Sequence, residues 1–111
     1  IILSIDVEGH HYWKDAPEEV KFLSNDHRHM FRIKIGVSVT HNDRDKEIFI
    51  EQNRIQKHLK GVYETTNGSY KYLNFGGMSC EAIAEEIILL NNDYLWVEVL
   101  EDNLGGARLE R

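Results

Sequence analysis

Cysteine and proline each occur once in this chain of 111 residues, at Cys80 and Pro17. A single cysteine excludes an internal disulfide and with it a disulfide scaffold; it fits a reducing, cytoplasmic setting. Long apolar runs are missing too. None approaches the roughly 18 residues that a membrane-spanning helix requires. Blocks of basic residues are absent: 13 Lys and Arg against 19 Asp and Glu leave a net charge of −6. Such a chain is a poor general binder of nucleic acid or anionic membrane, although a local basic pocket stays open to it. Repeats, linkers and low-complexity segments are also lacking. The chain begins at Ile1 rather than Met, shows no signal-peptide pattern and reads as slightly trimmed.

What is present is ordinary globular composition, 41% hydrophobic and 29% charged, with one exception. Six histidines are a surplus, and four of them, His10, His11, His27 and His29, fall between positions 10 and 29. The length is that of one domain, 1–111. A domain of this size buries only about two-thirds of its unfolded surface, so a large ligand site would form more easily between subunits.

Periodicity gives a coarse plan. Residues 3–11 alternate, with Leu3, Ile5, Val7, Gly9 and His11 on one face, as a half-buried strand does. Residues 12–26 read as a loop. Residues 29–39 alternate again through His29, Phe31, Ile33, Ile35, Val37 and Val39. Residues 41–45 are a turn by composition, and 46–50 read as a strand returning from it. Ile55 and Leu59 mark a helix over 51–60, and 61–78 read as irregular, punctuated by Asn67-Gly68 and Gly76-Gly77. Ser79 is an N-cap candidate for a second helix carrying Glu81 in its first turn and Ile83, Ile87 and Leu90 along one face. Leu95, Val97, Val99 and Glu101 then share a strand face, and 107–111 form a last strand. The order is ββααββ. It predicts an α+β fold with a four-stranded antiparallel sheet and two helices on one face.

His27 and His29 are two apart, so both point to the face of Phe31 and Ile33. His11 shares the apolar parity of the first strand. If the first two strands pair antiparallel, three imidazoles meet at one end of the sheet, with the makings of a three-histidine zinc site that leaves its fourth position open. His10 is the competing ligand; a bulge at Gly9 would exchange the two. Glu101, a carboxylate on an apolar face, needs hydrogen-bond donors. A guanidine-like ligand edge would offer two of them side by side. Cys80, in the first turn of the second helix, is either a reactive thiol or a small packing residue. Trp13 is a candidate to stack on a ligand. Arg28 falls on the face opposite its two flanking histidines, and Lys57, Lys60 and Lys71 are candidates for a ligand entrance.

These residues resemble those of the tunnelling-fold 6-pyruvoyl- and 6-carboxytetrahydropterin synthase family over nearly the whole chain. Val7-Glu8-Gly9-His10-His11 looks like the family's first-strand zinc segment, and His27-Arg28-His29-Met30-Phe31 like its His-x-His-x-aromatic motif. Ile48-Phe49-Ile50-Glu51-Gln52 looks like the segment before its first helix. Ser79-Cys80-Glu81-Ala82 looks like the opening of its second helix, and Val97-Glu98-Val99-Leu100-Glu101-Asp102 like the strand whose Glu anchors the pterin ring. The resemblance implies zinc held by His11, His27 and His29, with Glu101, Glu81 and Ser79 at the ligand. It also implies a pterin- or purine-like small molecule bound at a subunit interface, lyase-type chemistry, and trimers or hexamers that close the sheets into a barrel. Free edges of a four-stranded sheet would be protected by such closure. The chain departs from the family at two places. Leu23 stands where the family's catalytic Cys would be, and Ser69-Tyr70-Lys71-Tyr72-Leu73-Asn74 holds no Asp-His pair. Glu51, Tyr70 and Glu81 are the remaining candidates for a general base. The alternative function is a binding protein that sequesters or senses a pterin- or nucleotide-like ligand without turnover.

Overall fold

The computed structural model describes residues 1–111. Six strands run β1 Ile2–His11, β2 His27–Val37, β3 Glu64–Asn67, β4 Tyr70–Gly76, β5 Tyr94–Glu101 and β6 Gly105–Glu110. Helix α1 spans Ile48–Tyr63, α2 spans Cys80–Ile88, and a 3-10 segment covers Glu18–Ser24. The strands form one sheet in the order β3-β4-β1-β2-β5-β6. All neighbours are antiparallel except β1 and β4, which run parallel. No helix is long and apolar enough to cross a membrane.

Alternation in β1, β2 and β5 sends Leu3, Ile5, Phe31, Ile33, Ile35, Val97 and Val99 to one face, where both helices cover them. Ile55 and Leu59 of α1 and Ile83, Ala84 and Ile87 of α2 complete a single buried cluster with Leu73 and Phe75 of β4. The opposite face carries cross-strand pairs such as Asp6 with Arg32 and Glu8 with Arg28. α2 begins where the sequence predicts: the Ser79 hydroxyl accepts from Ala82 N–H at 3.1 Å and caps the helix.

The four-stranded, all-antiparallel sheet expected from the sequence is corrected to an open, mixed, six-stranded sheet that is not closed into a barrel. The extra strands come from 61–78, which is not irregular: Asn67-Gly68, with Gly68 at φ 66°, turns the hairpin of β3 and β4. Leu73 and Phe75 alternate into the core there, a period-2 signal short enough to be missed. This extra hairpin departs from the tunnelling-fold pattern. The pterin-synthase-like lyase and the homo-oligomeric trimer or hexamer that the resemblance implied lose their structural basis with it. The sheet's edges differ as well. The edges are now β3, four polar residues long, and β6, which carries Arg108 and Glu110 and opens on two glycines, so each is blunted within the chain.

Two local expectations also yield. Residues 46–50 do not form a strand; Glu47 caps α1 by accepting from Ile50 N–H at 2.8 Å, and the helix starts at Ile48. Strand propensity in Ile48-Phe49-Ile50 is overridden by the cap, and these side chains stay exposed. A register shift between Gly36 and Val37 buries Tyr94 and leaves Leu95 outside.

Candidate metal centre

The continuous β1–β2 register sets His11 opposite His27 and Gly9 opposite His29. With no bulge between these two strands, His11 keeps the inward parity and His10 faces out. The three inward rings meet at one end of the sheet, with centroids 4.5 Å apart for His11 and His27, 4.9 Å for His27 and His29, and 5.3 Å for His11 and His29. One ring nitrogen from each lies within 4.8 Å of the others. Phe31 packs edge-on against both His11 and His29 and forms the floor. Gly9 makes that floor possible: a Cβ there would stand 2.7 Å from the Phe75 ring and 2.9 Å from Phe31.

Each imidazole has its Nδ1 committed. His11 donates to the Met78 carbonyl at 2.9 Å, His27 to the Asn25 carbonyl at 2.9 Å, and His29 to the Asp102 carboxylate at 2.6 Å. Carbonyl and carboxylate oxygens only accept, so Nδ1 carries the proton and Nε2 of the neutral ring presents a lone pair. Nε2 of His11 and of His29 are buried and make no hydrogen bond. Buried polar atoms are rarely left so. Burial pushes the pKa of His11 down, which favours the neutral, ligating form. Convergent lone pairs on rings oriented by carbonyls and a carboxylate fit a metal ion, and the cluster is capable of coordinating one.

Glu101 stands beside this cluster. It pairs with Phe31 across β2 and β5, which aims its carboxylate at the histidines. Its Oε1 is 3.2 Å from His11 Nε2 and its Oε2 is 3.4 Å from His29 Nε2. The Cys80 thiol donates to Oε1 at 3.4 Å. Burial, with the Glu101 charge next, pushes that thiol up to about 12. Cys80 is thus a protonated packing residue, and the reactive-thiol alternative is set aside. Asp102, one residue on, has a positive φ of 51° and follows the end of β5. Its second oxygen accepts from Met30 N–H at 2.9 Å, and the hydrogen bond from His29 holds its carboxyl below the usual range.

A cavity of about 470 Å³ opens on the centre. His11, His27 and Glu101 line it, and His29 is not part of its wall. Ser79 and Glu81, named from the sequence, contribute to its wall, as do Trp13 and Leu23. All these residues belong to one chain, which by itself encloses a cavity of this volume. The other candidates lie elsewhere. Glu51 is buried against Arg54, bonded at 2.9 Å. Tyr70 donates to Glu8 on the open face, where Arg28 also binds Glu8 at 2.7 Å. His10 joins Asp26 at 2.8 Å and stacks on Tyr72. Lys57, Lys60 and Lys71 remain on the exposed surface, away from the cavity.

Sequence reading missed Asp102 and the carbonyls of Asn25 and Met78. Asp102 had one available signal, its place directly after Glu101 at a turn; the carbonyls had none, because any residue supplies one. No protein-family model matches the chain, and no curated protein is significantly similar to it.

Proposed function

We propose that the protein is a zinc-binding protein whose metal site receives a small molecule of purine or pterin size in the adjoining cavity. The carrying observation is the set of three imidazoles with pinned Nδ1 atoms converging on one point beside that cavity. Three histidines with room for a fourth ligand suit zinc. When bound, zinc would supply Lewis-acid polarisation of a ligand oxygen or acidify a water. The chain's own residues bind and orient. Trp13 offers a flat apolar surface at the mouth, Glu81 and Glu101 accept from ligand N–H groups, and the Ser79 hydroxyl keeps a proton to donate while its oxygen caps α2.

Holding a ligand without turnover is the better-supported mode. The Cys80 thiol stays protonated, Leu23 brings no reactive group to the cavity wall, and Glu51 and Tyr70 are engaged elsewhere, so that Glu81 is the one general-base candidate left at the cavity. Metal analysis of the purified protein is expected to find about one zinc per chain and less in His27→Ala or His29→Ala. Mass spectrometry of material released on denaturation is expected to find a planar heterocycle that reincubation leaves unaltered. Absence of metal in the wild type would end the zinc reading. Conversion of the released compound would replace sequestration with catalysis.

A further inference from the structure

Glu101 sits unusually for a residue meant only to greet a ligand. Both carboxylate oxygens are turned toward histidine Nε2 atoms, at 3.2 and 3.4 Å, and neither contact has the alignment of a hydrogen bond. With Nδ1 of His11 and His29 donating to Met78 and Asp102, these contacts set lone pair against lone pair. Between neutral rings and a carboxylate this is repulsive unless a cation lies between them; the poor alignment speaks against a proton on Nε2 and for a metal ion. The spacing is also informative. In a tetrahedral zinc site with bonds of about 2.0–2.1 Å, neighbouring ligand atoms stand about 3.3–3.4 Å apart. Oε1 stands near that length from His11 and Oε2 from His29, so a small rotation of the carboxylate toward His27 would complete the set.

Further support comes from what holds Glu101. Cys80 donates its thiol proton to Oε1, and the carboxylate is anchored at the end of β5 by the turn that follows, where Leu104 N–H donates to the Glu101 carbonyl at 2.9 Å. In that turn Asp102 and Asn103 both have positive φ. Asp102 clamps the same turn to β2 by accepting from Met30 N–H and His29 Nδ1. One turn therefore positions both Glu101 and the orienting partner of His29.

We propose that Glu101 is the fourth, protein-supplied ligand of the metal, so that the centre is a closed three-histidine, one-carboxylate site until a cavity ligand displaces Glu101. This inference rests on the metal-binding reading and adds a gate to it. A cavity ligand must bring an oxygen or nitrogen that replaces the carboxylate on the metal, and N–H donors that receive the released carboxylate. Ligands with both, such as an enolised or ionised heterocyclic amide beside an amino group, fit the exchange. Cys80 acts as a positioning residue for Glu101.

Cobalt(II) in place of zinc tests the gate directly. A site open to water carries a bound water that ionises near neutrality, and its absorption changes with pH. The closed site has no such water, so the visible spectrum of the cobalt-loaded wild type is expected to stay constant from about pH 6.5 to 9. Glu101→Gln is expected to admit water, to make the spectrum titrate in that interval, and to lower cobalt affinity at least about tenfold. A wild-type spectrum that already titrates, or a Gln variant with unchanged spectrum and affinity, would overturn the proposal while leaving the three-histidine site standing. Failure of the wild type to bind cobalt or zinc would overturn both. Should the variant not fold, the wild-type pH profile decides alone.

Discussion

His10 and His11 are adjacent in sequence, yet they stand on opposite faces of the sheet and in different chemistry. Both have Nδ1 committed and Nε2 without a hydrogen bond. On the open face His10 pairs with Asp26, whose side chain is half exposed, and stacks on Tyr72. On the helix-covered face His11 is buried and meets two further imidazoles and a carboxylate. Residue type is the same in the two places. Both Nε2 atoms are shielded from water, so convergence separates them, and the pleat supplies it by sending neighbours to opposite sides.

That contrast can be broken at matched positions. His11→Ala removes a ring from the cluster and is expected to weaken zinc binding by more than about a hundredfold, beyond the usual cost of losing an outer partner. His10→Ala is expected to leave it within about twofold. Competition with a zinc indicator measures both. Equal effects would mean that the outward histidine also reaches the metal.

The next pair is Phe31 and Met30. Phe31 is fully buried under His11 and His29, whereas Met30 is exposed. Phe31→Ala is expected to cost about 3–5 kcal/mol in urea unfolding. Met30→Ala is expected to cost under about 0.5 kcal/mol. A small effect at Phe31 would show that the floor of the site collapses to fill the gap.

Asp102 and Asp26 give a subtler comparison, since each accepts from a histidine Nδ1. Asn at position 102 tolerates the positive φ but has only one acceptor oxygen for the two bonds that Asp102 receives. Asp102→Asn is expected to lower zinc affinity about 10–100-fold, and Asp26→Asn to leave it unchanged. Arg32→Ala on the open face removes an exposed pair with Asp6. Surface pairs contribute little, and its unfolding midpoint is expected to match the wild type within measurement error.

Much of the site was legible because period-2 alternation carries it. His11, His27 and His29 share their strands' apolar parity, so pattern alone places them on the core side once β1 and β2 pair. Ser79 as N-cap, the apolar faces of α1 at Ile55 and Leu59 and of α2 at Ile83 and Ile87, and the inward Val97 and Val99 were readable in the same way. The failures have local causes. Glu47 competes with strand propensity at 46–50, the β3–β4 hairpin is too short for periodicity to stand out, and a bulge at Gly36–Val37 exchanges Tyr94 with Leu95.

The sequence by itself determined the faces. Alternation in β1, β2 and β5 follows from backbone geometry, and wherever the pleat stays regular the apolar side chains report their side of the sheet; the bulge that exchanges Tyr94 with Leu95 is the exception. Tertiary structure decided the rest. Strand order and number, the insertion of a hairpin beside β1, and the arrival of Glu101, Cys80 and two backbone carbonyls around three imidazoles all depend on contacts between distant segments. Those contacts form only when the whole core is packed, because no local signal specifies which carbonyl, or which strand end, an imidazole will meet.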